Sequence, residues 1–111
     1  MASKRDQAAD TWVNDHLDLY NYAVRIGDSD WQDELLGALS QREEPIRLLS
    51  NHLALQELWS RFDSVNRRML EIYDRIRADR NAIHRQTLQR TVLELKQQRV
   101  SISRQIRELI R

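Results

Sequence analysis

The sequence predicts an all-α protein, an antiparallel helical bundle of about four helices dominated by a long C-terminal helical hairpin or coiled coil. Three observations carry this prediction. The 111 residues include two glycines and one proline, too few for a strand protein, which needs turn residues roughly every 8 to 12 positions. Apolar residues recur at steps of three and four, the spacing of one helical face. No glycine or proline occurs in residues 46–111.

A chain of this length is about the commonest size for one domain and can bury a single core. We therefore predict one helical domain over residues 1–111. Its helices are expected near residues 4–26, 29–42, 46–79 and 84–110.

The composition limits the compartment and the partners. Cysteine is absent, which excludes a disulfide framework or a thiolate metal site and suits a reducing compartment. The longest apolar runs, residues 22–24 and 53–55, fall far short of the roughly 20 residues that span a bilayer. No apolar segment follows the basic residues at the N-terminus, so this stretch does not resemble a secretory signal. We expect a cytoplasmic protein with no membrane partner.

The first helix is predicted to begin at Ser3, which forms a weak capping-box pattern with Asp6. Gly27 is expected to end it, because glycine commonly follows the last helical residue. The predicted buried face consists of Ala9, Trp12, Val13, His16, Leu19, Tyr20, Ala23 and Val24.

Asp28 or Ser29 is predicted to cap a shorter second helix, whose first turn carries acids near the positive end of the helix dipole. Its predicted buried face consists of Trp31, Leu35, Leu36 and Leu39. Pro45 marks the next boundary, since proline is tolerated in the first turn of a helix and not in its interior. The apolar residues that follow cover a wide arc and are expected to pack against the first two helices: Ile46, Leu48, Leu49 and Leu53.

Two apolar series in the C-terminal half have the three-and-four spacing of a coiled-coil seam. The first is Leu55, Leu58, Phe62, Val65, Met69, Ile72 and Ile76, and the second is Leu88, Val92, Leu95, Arg99, Ile102, Ile106 and Leu109. They are two residues out of phase, whereas coiled coils absorb inserts of three or four. We therefore predict a break between Asp79 and His84, centred on Asn81, which tolerates left-handed backbone angles. One continuous helix is the alternative.

Arg99 occupies a position in the second series that normally takes an aliphatic residue. A polar residue in a seam often sets the register or the oligomeric state at a cost in stability. Arg99 is therefore predicted to be a specificity device or the point where the hairpin opens, and Arg99→Leu is expected to raise thermal stability.

Charge is divided unevenly along the chain. Residues 1–44 hold ten acids and four bases, a net charge of −6, and residues 45–111 hold fourteen bases and seven acids, a net charge of +7. The two halves can neutralise each other in the fold, or the basic half can face an anionic partner. The candidates for an anionic partner are Arg61, Arg68 and Arg75, each just before a seam position, with Arg77 and Arg80. Guanidinium groups bind phosphate oxygens well, but long arginine side chains can equally meet the acids of the first two helices.

Four apolar residues lie off both series: Leu70, Leu93, Val100 and Ile110. If the first helix does not cover them, they form an exposed strip of the kind that receives an amphipathic partner helix. The three tryptophans, Trp12, Trp31 and Trp59, can be core anchors or interface hot spots, and they are assigned to the core by default.

No motif in the sequence demands a particular chemistry. The acidic residues 28–34 lack the glycine and the glutamate of a calcium loop. His16, His52 and His84 lack the four-residue spacing of a helical zinc site. No glycine-rich phosphate loop or nucleophile elbow is present. We expect no enzyme, cofactor or metal site, although carboxylates brought together by folding remain an alternative.

The order of elements carries one resemblance. A Leu-Tyr-bearing first helix is followed by Asp30-Trp31, Leu35-Leu36, Arg42-Glu43 and Ile46, and then by a long helical hairpin. This order resembles small flagellar export chaperones of the FliT and FlgN kind. The resemblance implies an adaptor or chaperone and no particular functional residue.

The leading functional prediction is a non-enzymatic protein–protein interaction module. It would be an adaptor or small chaperone that binds a helical segment of a partner or self-associates, with a homo-oligomer as one option. The alternative is a nucleic-acid-associated protein that uses the arginine-rich hairpin.

Overall fold

The computed structural model describes residues 3–111. Its four helices are α1 (Lys4–Ile26), α2 (Ser29–Ser40), α3 (Glu43–Ala78) and α4 (Ala82–Leu109). No strand occurs among the described residues, so the predicted all-α fold class is confirmed. Met1 and Ala2, which begin the stretch considered above as a targeting signal, lie outside the described residues.

Both predicted caps of α1 are confirmed. The Ser3 hydroxyl accepts a hydrogen bond from the Asp6 N–H at 3.1 Å, and the Asp6 carboxylate accepts one from the Ser3 N–H at 3.3 Å. These two bonds pair backbone donors that have no partner inside the helix. Gly27 follows the last residue with a left-handed φ of 75°, a conformation that glycine adopts without a steric penalty.

The boundary between α2 and α3 lies earlier than predicted. Asp28 caps α2 by accepting a hydrogen bond from the Trp31 N–H at 3.0 Å, as predicted. However, α2 ends at Ser40 and α3 begins at Glu43, so the predicted ranges 29–42 and 46–79 are wrong at these ends. Pro45 is the third residue of α3. Proline fits there because the first N–H groups of a helix have no intrahelical acceptor.

The break between α3 and α4 is confirmed, but the predicted backbone geometry is wrong. Asn81 has extended angles, φ −80° and ψ 117°, and no non-glycine residue among residues 3–111 has a positive φ. Its side-chain oxygen instead accepts hydrogen bonds from the N–H groups of Ile83 and His84, at 2.9 and 3.1 Å. Asn81 is thus the N-cap of α4, which starts at Ala82, earlier than predicted, and ends at Leu109.

The chain divides into two compact units, Met1–Ala54 and Leu55–Arg111. Helix α3 contributes residues to both. We call the second unit the hairpin. The prediction of one domain over the whole chain stays a prediction.

The core of the first unit is narrower than the sequence predicted. Its buried apolar residues are Ala8, Ala23, Leu35 and Ile46, and Tyr22 packs edge-to-face on Trp31 at 6.1 Å between ring centroids. A spacing of three and four residues locates the centre of the buried face of a helix but not its width. Several residues at the edges of the predicted faces were therefore wrongly assigned to the core. The exposed ones are Leu19, Val24, Leu36 and Leu48.

The core of the hairpin follows the two predicted series, which together we call the seam. Its buried residues are Leu58, Val65, Met69, Ile72, Val92, Leu95, Ile102 and Ile106, with Leu55, Phe62, Tyr73, Ile76, Leu88 and Leu109 packed against them. Every seam position except Arg99 belongs to this cluster. Residues of α3 and α4 therefore share one core, as a hairpin requires and a single continuous helix does not permit.

Candidate functional site

One side of the hairpin seam is formed by the residues that directly follow seam positions. On α3 the strip consists of Trp59, Asn66 and Tyr73, which follow Leu58, Val65 and Ile72 at a spacing of seven residues. Leu70, which follows Met69, is three or four residues from Asn66 and Tyr73 and is outside this seven-residue series. On α4 the corresponding strip, also at steps of three and four, contains Leu93, Lys96, Val100, Ser103, Arg107 and Ile110. We call these two strips together the apolar flank.

The apolar flank contains a groove of about 400 Å³ near the end of the hairpin remote from the turn. From α3 it is lined by Trp59 and Phe62, whose rings pack edge-to-face with centroids 5.5 Å apart. From α4 the lining residues are Arg99, Val100, Ser103, Ile106, Arg107 and Ile110. The groove therefore combines aromatic and aliphatic walls with two arginine side chains.

A second groove, of about 260 Å³, lies nearer the turn. Its lining residues are Tyr73, Ile76, Gln89, Val92, Leu93 and Lys96. Both grooves lie on the same flank, because their α4 residues continue one series at steps of three and four. From Leu93 to Ile110 this strip is about 25 Å long at the helical rise per residue.

The charged side chains that line the two grooves are Lys96, Arg99 and Arg107, and none is an acid. Arg99 is half-buried, and one of its terminal nitrogens donates a hydrogen bond across the hairpin to the Asn66 side-chain oxygen at 3.3 Å. This bond explains how a charged residue is accommodated between the buried layers of the seam.

Three of the four predicted partner-binding residues line these grooves. Leu93, Val100 and Ile110 are 61%, 63% and 63% exposed. Leu70 is also exposed, at 65%, but it lines neither groove. The structure thus places Leu93, Val100 and Ile110 on one surface, and Leu70 lies outside both grooves. Their binding role stays a prediction.

The aromatic part of this flank was not predicted from the sequence. Trp59 was assigned to the core, and this is wrong, since the side chain is 48% exposed. Trp12 and Trp31, in contrast, are half-buried. The signal that could have identified it is the seven-residue spacing of Trp59, Asn66 and Tyr73. The same spacing identified the three arginines that begin with Arg61.

The opposite side of the seam carries Arg61, Arg68 and Arg75, which we call the arginine flank. Within the described part of the hairpin, none of these three guanidinium groups forms an ion pair. Arg77 differs, because it pairs with Asp74 one turn earlier on α3. Of the predicted anionic-partner residues on α3, Arg77 is thus already neutralised by a neighbour.

The positive charge of the arginine flank is diluted by acids on the same helix. Glu57 lies four residues before Arg61, and Glu71 lies three after Arg68 and four before Arg75. Residues at these spacings are neighbours on a helix surface. The flank therefore alternates in sign, whereas a surface that follows a phosphate backbone needs an unbroken run of positive charge.

Arg80, the last predicted anionic-partner residue, lies at the turn. With Arg75, Asp79 and His84 it lines an open cavity of about 640 Å³. The Asp79 carboxylate accepts a hydrogen bond from the Asn81 N–H at 2.8 Å and lies 3.2 Å from the His84 Nδ1. The Asn81 hydrogen bond, with a smaller contribution from His84, holds the pKa of Asp79 below its ordinary value. Asp79 thus supports the turn.

The histidines occupy three separate environments. His16 stacks on Trp12 with ring centroids 3.7 Å apart, and its Nδ1 lies 2.8 Å from the Trp12 carbonyl oxygen. His52 is exposed, and His84 contacts Asp79. Among residues 3–111, no three histidine or acidic side chains form a group that could hold a metal ion. Within the same residues, no helix has both the length and the apolar character needed to cross a membrane.

Comparison with known proteins finds no match to a protein-family model, to a curated protein or to a solved structure. The resemblance to flagellar export chaperones therefore rests on the order of elements alone.

Proposed function

We propose that this protein is a non-enzymatic interaction module, an adaptor or small chaperone, whose apolar flank binds a helical segment of another protein. The observation that carries the proposal is the alignment of the two grooves along about 25 Å of one flank. Exposed apolar side chains grouped on one face and bordered by polar residues are typical of protein interaction sites.

The shape of the flank favours a helix as the bound segment. An amphipathic helix presents apolar residues at i, i+3 or i+4, and i+7, and it binds by laying that face in an apolar groove. About 17 helical residues match the distance from Leu93 to Ile110. Trp59 supports the proposal further, since a half-exposed tryptophan in a groove is the kind of side chain that dominates binding energy at interfaces.

A nucleic-acid partner is the second candidate. It is favoured by the three arginines of the arginine flank, which lack an ion-pair partner in the described hairpin. It is disfavoured by Glu57 and Glu71 on the same side of α3. A nucleic-acid complex would weaken steeply as salt is raised, whereas apolar helix recognition would change little.

The experiment is selection from a displayed library of helical peptides on the full-length chain, followed by affinity measurement for the selected peptides. Two variants of α4 form a matched pair, Val100→Glu in the groove and Gln97→Glu on an exposed position that lines neither groove. Both introduce one negative charge at a surface position. A duplex oligonucleotide is measured in parallel at low and high salt.

We expect the selected peptides to carry apolar residues at helical spacing. Their binding should be lost with Val100→Glu and retained with Gln97→Glu. Equal binding by the two variants, or a selection that yields no apolar helical pattern, would overturn the proposal. Salt-sensitive oligonucleotide binding without peptide binding would favour the second candidate instead.

A further inference from the structure

We infer that the bound helix is acidic, and that it presents carboxylates to Arg99 and Arg107 on either side of the apolar residues that enter the groove. This inference rests on the proposed function and specifies the chemistry of the partner. It is carried by the arrangement of the two arginines in the first groove and by the charge of the hairpin around them.

Arg99 keeps donors free for a bound group, although it is half-buried. A guanidinium group has five N–H donors, and the structure gives one hydrogen bond, to Asn66 at 3.3 Å. Arg99 lines the groove, so its remaining donors are available to a group bound there. A carboxylate is the best match, because guanidinium and carboxylate groups form paired, charge-assisted hydrogen bonds.

Arg107 provides the second cation of the same groove. It is exposed, and it makes no ion pair within the described hairpin. Arg99 and Arg107 are eight residues apart on α4, about 12 Å along the helix. Two carboxylates seven or eight residues apart on a bound helix match this separation, with an apolar residue between them directed toward Trp59 and Val100.

Charge also distinguishes an acidic partner from a second copy of the hairpin. Residues 55–111 hold thirteen bases and seven acids, a net charge of +6. Two apolar flanks brought together would place Lys96, Arg99 and Arg107 of each copy close to like charges, which costs free energy at an interface. An acidic helix instead gains from every one of these residues.

The test uses two designed 17-residue amphipathic peptides with the same apolar residues. One carries glutamates seven residues apart at the edge of its apolar face, and the other carries glutamines there. Affinities for the full-length chain are measured by fluorescence anisotropy of the labelled peptides. The variants are Arg99→Gln/Arg107→Gln and a matched control, Arg90→Gln/Arg104→Gln, which removes two charges from exposed positions of α4 outside both grooves.

We expect the native chain to bind the glutamate peptide roughly fivefold more tightly than the glutamine peptide, as expected for two partly exposed ion pairs. The Arg99→Gln/Arg107→Gln variant should lose this preference but still bind the glutamine peptide. The control variant should keep the preference. Equal loss of the preference in both variants would show that the overall positive charge of α4 selects the glutamate peptide, without a particular role for Arg99 and Arg107. That result would overturn the inference.

The remaining outcomes separate this inference from the proposed function. If both peptides bind the native chain equally and Val100→Glu abolishes both, the helix-binding function stands and the acidic specificity is wrong. If neither peptide binds, the proposed function itself fails. A native dimer that dissociates in sedimentation measurements on Val100→Glu would assign the groove to a second copy and overturn the acidic partner.

Discussion

The two flanks of the hairpin seam differ in chemistry, although the same two helices build both. Residues that follow seam positions include Trp59, Tyr73, Leu93 and Val100, whereas residues that precede seam positions on α3 include Arg61, Arg68 and Arg75. The seam between them holds the buried core. The seam supplies most of the packing, and Tyr73 is the flank residue that packs against its core. The difference indicates that the flanks can carry binding while the seam carries stability.

The sharpest test of this division compares two leucines on the same helix, Leu95 in the seam and Leu93 in the apolar flank. Leu95 is 5% exposed and Leu93 is 61% exposed. We expect Leu95→Ala to lower the free energy of unfolding by about 2–4 kcal/mol, because it leaves a cavity. Leu93→Ala should change it by less than about 0.5 kcal/mol. Urea denaturation measures both, and equal losses would contradict the division.

The turn that brings the helices together should have the next largest effect. Asn81→Ala removes the acceptor for the N–H groups of Ile83 and His84, and we expect it to lower the free energy of unfolding by about 1 kcal/mol. Asn81→Asp keeps an acceptor oxygen and is the control, with a smaller loss. A chain unaffected by Asn81→Ala would show that the cap does not hold the hairpin closed.

Arg99 is the one charged residue of the seam, and it also lines the first groove. Arg99→Leu is expected to raise the free energy of unfolding by about 1 kcal/mol, because an aliphatic side chain completes the seam. The same change should weaken binding of the acidic peptide. A clear drop in melting temperature would refute the seam assignment, and an unchanged peptide affinity would remove Arg99 from the binding site.

The smallest expected effect concerns pH at the turn. The pKa of Asp79 is lowered in the folded chain, mainly by the Asn81 N–H. Its stabilising contribution is therefore present above the ordinary value of about 3.9 and is lost as pH falls through the lowered folded value. The destabilisation caused by Asp79→Asn should be larger at pH 6 than at pH 2.5, measured by urea denaturation. A pH-independent difference would show that the charge of Asp79 does not support the turn.

Local features of this protein were predictable because their causes lie within a few residues. The Ser3 and Asp6 box, the Asp28 cap and the Gly27 stop all depend on neighbouring backbone groups. The break near Asn81 was predictable from the phase of the two seam series, although the cap geometry was not. Pro45 does lie in the first turn of α3, but the predicted start at residue 46 was three residues too late. A proline is compatible with several positions in a first turn, so it does not fix the first residue of the helix.

The apolar flank was predicted only in part, because apolar and aromatic residues next to a seam occur both in protein cores and on protein surfaces. Leu93, Val100 and Ile110 stood out as apolar residues off the seam. Trp59 did not, since a tryptophan next to a seam is equally compatible with burial. Whether it is covered depends on what packs there, and that is a property of the folded chain.

Periodicity, caps and composition alone determined that this chain is helical, where its helices begin and end to within three residues, and which residues form the hairpin seam. These features are local or repeat along one helix. Only the tertiary structure decided which apolar residues stay exposed, that Arg99 reaches Asn66, and that two grooves share one flank. Each of these depends on distances between side chains of different helices. The spacing of residues along a single helix does not determine those distances.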